Sequence, residues 1–218
     1  MQILDAAAVA GALPYAELVD TLEEAFRQGA TVPRRTHHAL DVPGEPQGSL
    51  LLMPAWQPGH ALGVKIVSVL PGNAKRGIGA VQAAYLLMEA TGVPRCLLDG
   101  SELTLRRTAA ASALASRHLS RKTSRTLLMV GTGRLAPHLV RAHAAVRPIR
   151  EVLVWGRRER AARDLAHALS GERFHTTVCG ELQAAVGRAD IISCATLATD
   201  PLIMGSWLGP GQHLDLVG

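Results

Sequence analysis

Residues 127–158, LLMVGTGRLAPHLVRAHAAVRPIREVLVWGRR, hold chemistry-bearing groups at two places. One apolar run enters Gly131-Thr132-Gly133-Arg134-Leu135-Ala136, which fits G-x-G-x-x-A, and a second ends in Gly156-Arg157-Arg158. In such a motif the first glycine permits a tight turn and the second lets a phosphate approach the backbone. The last position must be small so that helix and strand can pack. A helix opening here presents free N–H groups and partial positive charge to an anion. The segment reads as a cradle for a dinucleotide's phosphates; the alternative is a glycine-rich turn that holds nothing. Cradles for NAD end their second strand with an acid that accepts from the ribose hydroxyls. Here two arginines stand in that place, and a guanidinium fork suits a 2′-phosphate. The expected cofactor is NADP(H), with NAD(H) possible; the alternative is that Arg157 and Arg158 cap the strand end in solvent.

Other reactive side chains are less informative, with one exception. Lys65 sits inside an apolar run, GVKIVSVL, where a lysine has a specific reason to be half-buried. His37 and His38 are adjacent, and neighbours on a strand point to opposite faces, so they do not easily share an ion; no metal site is expected. Ser112 and Ser116 lie in an alanine-rich stretch with no nucleophile-elbow pattern and read as small packing residues. Cys96, Cys179 and Cys194 are far apart with no CxxC pair, which fits a reducing compartment and argues against disulfides and zinc.

These groups need elements to hold them. Asp5 can cap a first helix, Pro14 can open a second, and Leu18, Leu22, Ala25 and Phe26 give that second helix an apolar stripe. Strands are expected over 36–40, 49–53, 62–69, 83–88 and 96–98, punctuated by 43-PGEPQG-48 and 71-PGNAKRGIG-79. A long helix is expected over 101–119. From Arg125 strands and helices alternate: strand 126–130, helix 135–146, strand 152–155, helix 159–169, strand 174–178, helix 182–186, then strands 191–194 and 213–217. That rhythm implies a parallel, doubly wound sheet. The expected class is thus α/β, a Rossmann-type doubly wound parallel sheet preceded by an α+β domain. The division falls near Arg121-Lys122, giving domains 1–121 and 122–218. Gly218 directly follows a strand, so the second domain is expected to be cut short at its C-terminal end.

The bulk properties set outer limits. A chain of 218 residues can bury a real core, and its moderate charge describes a globular protein. The net charge of +5 comes from scattered arginines not interleaved with aromatics, which argues against nucleic acid and fits a small anionic ligand. No apolar run reaches membrane-spanning length and no signal-peptide pattern opens the chain, so a cytoplasmic location is expected.

The segments 63-GVKIVSVLPGN-73, 103-LTLRRTAAASALASRHL-119, 131-GTGRLA-136 and 210-PGQHLDLVG-218, in that order, resemble the ornithine cyclodeaminase/μ-crystallin family over essentially the whole length. The resemblance implies a two-domain subunit that dimerises through its α+β domain, binds a nicotinamide cofactor and moves hydride at the α-carbon of an amino or imino acid. By motif, Lys65 corresponds to the lysine that meets the substrate carboxylate and reacting centre. Arg107 corresponds to the arginine that binds the carboxylate beside the cofactor, and both it and Thr108 are expected to contact the cofactor. Arg35, or Arg34 one register away, corresponds to a second carboxylate arginine. Thr196, Leu216, Val217 and Gly218 correspond to residues lining the cofactor. Three departures stand out. The cyclodeaminase's catalytic aspartate would follow Gly218, Ala80 lies where the cyclodeaminase has a hydroxyl, and Asp215 replaces an expected asparagine.

The residue types suit that chemistry. A guanidinium clamps an α-carboxylate through two bonds, and a nearby lysine exchanges a proton with an amine or imine nitrogen. The alternative is that Arg107 and Lys65 are solvated surface charges. The first expectation is an NADPH-dependent reductase of a cyclic ketimine carboxylate such as Δ1-pyrroline-2-carboxylate, yielding L-proline. The second is ornithine cyclodeaminase, which converts L-ornithine to L-proline and ammonia with NAD recycled. Alanine dehydrogenase and opine-type chemistry also occur in the family, as does NADPH-dependent small-molecule binding without turnover.

Overall fold

The computed structural model describes residues 1–217, Ala74 by its backbone only. Two compact units emerge: Met1–Pro14 with Glu23–Arg106, and Tyr15–Leu22 with the chain from Arg107 onward. The helices α2 (Tyr15–Gln28) and α3 (Gly100–Leu119) contribute residues to both.

In the first unit, period-two patterning produces strands that pair with their chain neighbours. β1 (Gln2–Leu4), β2 (Thr36–Leu40), β3 (Gly48–Gln57), β4 (Ala61–Val69), β5 (Val81–Glu89) and β6 (Pro94–Asp99) form one sheet, ordered β1-β6-β5-β4-β3-β2. All neighbours are antiparallel except β1, which runs parallel to β6. Asp5 caps α1 (Ala6–Ala12), its Oδ1 accepting from the Ala8 N–H at 2.9 Å. The sheet departs from expectation at several points. β3 continues past Met53 through Pro54 to Gln57, because β2 pairs only with Gly48–Leu52. Pro54 therefore has no β2 partner that needs its missing N–H. Three-residue β1 was not expected, being too short to show a period. The segment 71-PGNAKRGIG-79 contains a 3-10 helix, Pro71–Arg76.

The second unit follows the βα alternation. β7 (Thr126–Val130), β8 (Glu151–Trp155), β9 (His175–Val178), β10 (Ile191–Cys194) and β11 (His213–Leu216) are all parallel, ordered β11-β10-β7-β8-β9. They alternate with α4 (Ala136–Val146), α5 (Glu159–Ala168) and α6 (Leu182–Arg188), leaving β10 joined to β11 without a long helix. The order reverses at β7, which pairs with β8 on one side and β10 on the other. This is the doubly wound arrangement expected, with the six-stranded sheet before it.

Burial explains why these strands read as continuous apolar runs. Leu127 to Val130, Val152 to Val154 and the whole of β10 are buried, as strands covered on both faces must be. Leu128, Val130, Leu153 and Ile192 form the centre, with Val186 of α6 against them. Each such side chain contributes about 1.5–3 kcal/mol by leaving water. The apolar stripe of α2 is only partly used. Leu18 and Val19 are buried, whereas Phe26 is 70% exposed and Ala25 is also exposed. Pro14 caps α2 from outside and Tyr15 is its first residue.

Candidate functional site

The turn between β7 and α4 has the geometry its sequence requires. Gly131 has φ of +117°, and a Cβ there would overlap the Ala195 carbonyl oxygen at the end of β10. Both conditions exclude any other residue without rearrangement. Its N–H donates to the Trp155 carbonyl (2.9 Å), tying the turn to the end of β8. At Gly133 a Cβ would meet nothing within 4 Å, so its backbone lies open to any ligand. Ala136 is fully buried, at the place where helix and strand must approach. Between the Gly131 and Ala136 N–H groups, those of Thr132, Gly133, Arg134 and Leu135 have no backbone acceptor among the described residues. They lie at a helix N-terminus whose field favours an anion.

A cavity of about 530 Å³ opens over this turn. Its wall contains Gly131 to Leu135 from the turn, Trp155 to Arg158 from the end of β8, and Ala195 to Ala198 with Leu202 from the chain after β10. Val217 completes it. The site lies at the C-terminal ends of the parallel strands where strand order reverses, the position at which sheets of this class hold ligands. Arg157 and Arg158 are exposed there and have no acidic partner among the described residues. The nearby Glu159 pairs instead with Arg163 at 2.5 Å. A turn with unmatched N–H groups, bare backbone at Gly133 and two unpaired guanidiniums fits a dinucleotide.

The profile of the ornithine cyclodeaminase/mu-crystallin family matches residues 1–218. The chain belongs to this family. It is 42% identical to the Delta(1)-pyrroline-2-carboxylate reductase of Paracoccus denitrificans, over 89% of this chain and 62% of that one. Among solved structures it is similar to the Thermococcus litoralis Delta(1)-pyrroline-2-carboxylate reductase in complex with NADH and L-proline. There the TM-score is 0.87 at 30% identity, covering 99% of this chain and 68% of the other. It is also similar to an archaeal alanine dehydrogenase dimer with bound NAD, with a TM-score of 0.85 at 29% identity, covering 98% and 66%. The chain spans from 59% to 70% of the length of the first four curated relatives it matches.

Within this family member the expected site residues separate into groups. Gly131, Thr132, Gly133, Arg134, Leu135, Arg157, Arg158, Thr196 and Val217 share the cavity. Leu216 lines a neighbouring cavity of about 330 Å³, which also includes Thr196. Gly218 lies outside the described residues. Arg107 and Thr108 do not line the larger cavity. The Arg107 side chain reaches solvent, yet neighbouring protein atoms desolvate its guanidinium and lower its pKa. In the first unit, Arg34 and Arg35 are exposed in the extended segment before β2. Lys65 is half-buried in the middle of β4, opposite Met53 on β3 and Tyr85 on β5. His37 and His38 are exposed on β2, and no group of three or more possible metal ligands occurs among the described residues.

Sequence reasoning missed Ala195, Leu197, Ala198 and Leu202. The available signal was their position just after β10, beside the expected Thr196. It also misread Ser112 as packing only. Asp215 on β11 is 10% exposed and accepts from Ser193 Oγ (2.7 Å) and His143 Nε2 (3.3 Å), with Ser112 adding a further hydrogen bond. The isolated oddity of Asp215 is thus one member of a buried polar cluster. No periodicity brings α3, α4, β10 and β11 together; only their packing does.

Proposed function

We propose that the whole protein is an NADPH-dependent reductase of a cyclic ketimine carboxylate, acting on Δ1-pyrroline-2-carboxylate to form L-proline in the cytoplasm. The observation that carries the reading is the cradle at the strand-order reversal, with Arg157 and Arg158 unpaired where an NAD site would carry an acid. Similarity to reductases of this imino acid supports the substrate. In this account Arg157 pairs with the cofactor's 2′-phosphate through a guanidinium fork, Arg158 adds positive charge, and the N–H groups of 132–135 hold the pyrophosphate. The chemistry that NADPH would supply there is a hydride for the α-carbon. Arg107 and Arg35 bind the carboxylate and so fix the α-carbon, while Lys65 neutralises charge and delivers the proton that the imine nitrogen needs. The product carries one added hydride and one added proton. A second copy of the chain completes a homodimer through the first unit.

Titration of the purified full-length protein with NADPH and NADH tests the cofactor assignment, with tryptophan quenching as the signal because Trp155 lines the cavity. The expected result is tighter NADPH binding, weakened about 10- to 100-fold in Arg157→Asp, the size of a lost charge-assisted pair. Equal binding of both cofactors, or preference for NADH, would overturn the role of Arg157 and favour a cofactor-recycling cyclodeaminase.

A further inference from the structure

We propose that Tyr85 is a substrate-positioning residue whose phenolic hydroxyl, set over Gly63 on the Lys65 face of the sheet, donates a hydrogen bond to the substrate carboxylate. The proposal rests on the reductase reading above and adds a residue to it.

Strand register sets the geometry. Tyr85 of β5 stands directly opposite Lys65 of β4, and opposed residues in an antiparallel pair project from the same face. Gly63 lies two positions before Lys65, so it shares that face. A Cβ on Gly63 would overlap the Tyr85 hydroxyl and lie 2.5 Å from Cζ and 3.0 Å from Cε1. The phenol therefore leans along the sheet and places its tip on the bare backbone of Gly63, which is itself buried. Lys65 is flanked by this ring on one side and by Met53 on the other.

The hydroxyl is the unexplained part of this arrangement. Among the described residues no group hydrogen-bonds with it, although the ring is half-buried. The hydroxyl oxygen itself is open to water rather than sealed in, and so is equally open to a ligand. Here the strand gives up a side chain at position 63 to admit the oxygen. Burial also raises the phenol's pKa, so it remains a hydrogen-bond donor at neutral pH. A donor with no acceptor among the described residues, beside the lysine that neutralises the substrate's charge, matches a carboxylate.

Steady-state kinetics of the full-length enzyme with Δ1-pyrroline-2-carboxylate, for wild type, Tyr85→Phe and Gly63→Ala, test this. Tyr85→Phe is expected to raise KM about tenfold with kcat within about twofold, the pattern of a lost ground-state bond, and to leave the melting temperature unchanged or higher. Inhibition separates carboxylate contact from packing. L-Proline should bind Tyr85→Phe about tenfold more weakly, whereas pyrrolidine, which lacks the carboxylate, should bind both forms equally. Gly63→Ala should displace the phenol and reproduce the KM effect. An unchanged KM in Tyr85→Phe, or equal weakening of L-proline and pyrrolidine, would overturn the role of Tyr85 while leaving the reductase reading intact. A wild-type enzyme that binds NADPH but does not turn over the imino acid would overturn the substrate reading and this proposal together.

Discussion

His213 and Asp215 project from the same face of β11 and make opposite demands on a proton. Burial chiefly lowers the pKa of His213, reinforced by the charges of His143 and Arg147 and opposed by Asp215. Burial pushes the Asp215 carboxyl up, but hydrogen bonds from His143, Ser193 and Ser112, together with the His143 charge, outweigh it and hold the pKa below 3.8. Both groups bind protons more weakly in the folded chain, so both stabilise it above their unfolded pKa values and lose that contribution as pH falls. The His213 part should fade below about pH 6.5 and the Asp215 part only below about pH 4. Thermal unfolding should show a first decline in melting temperature in the upper window, which His213→Gln flattens; an unchanged slope in that variant would refute the assignment. At this scale the sequence was legible where local order defines position, as for Gly131, Gly133 and Arg157, which line one cavity. It was opaque for His143 and Ser193, whose only signal is proximity in space to Asp215.

The turn between β7 and α4 is the element on which the site depends. Its first residue combines a positive φ with a backbone neighbour, the Ala195 carbonyl, that leaves no space for a side chain. Gly131→Ala should cost about 1–3 kcal/mol from backbone conformation alone, with the clash added, and should abolish cofactor binding. Urea unfolding with and without NADPH checks both effects; retained affinity would show that the turn does not hold the phosphates. Long periodic elements such as α3, β4 and α5 were legible to within a residue or two, because burial imposes their patterns. Three-residue β1 and the extension of β3 through Pro54 were not. The first has too few residues to show a period, and the second depends on how far β2 happens to run.

Across the whole molecule, the two sheets differ in how completely the chain covers them. The parallel sheet is buried along its central strands, whereas β3, β4 and β5 are half-buried for most of their length. Ile66, on the face of β4 away from Lys65 and Tyr85, is 39% exposed. A second copy would cover such a surface, and an interface of this kind typically buries about 1,200–2,000 Å². Light scattering on the full-length protein should therefore give a dimer mass, and Ile66→Glu should shift it toward monomer; a monomeric wild type would remove the first unit's dimerising role. No helix among the described residues is long and apolar enough to cross a membrane. The most direct measurement is oxidation of NADPH by the full-length protein supplied with Δ1-pyrroline-2-carboxylate, with L-proline identified as product. The account predicts turnover with a higher kcat/KM for NADPH than for NADH. Conversion of L-ornithine to L-proline and ammonia without net cofactor change, or NADPH binding with no reduction of the imino acid, would contradict it.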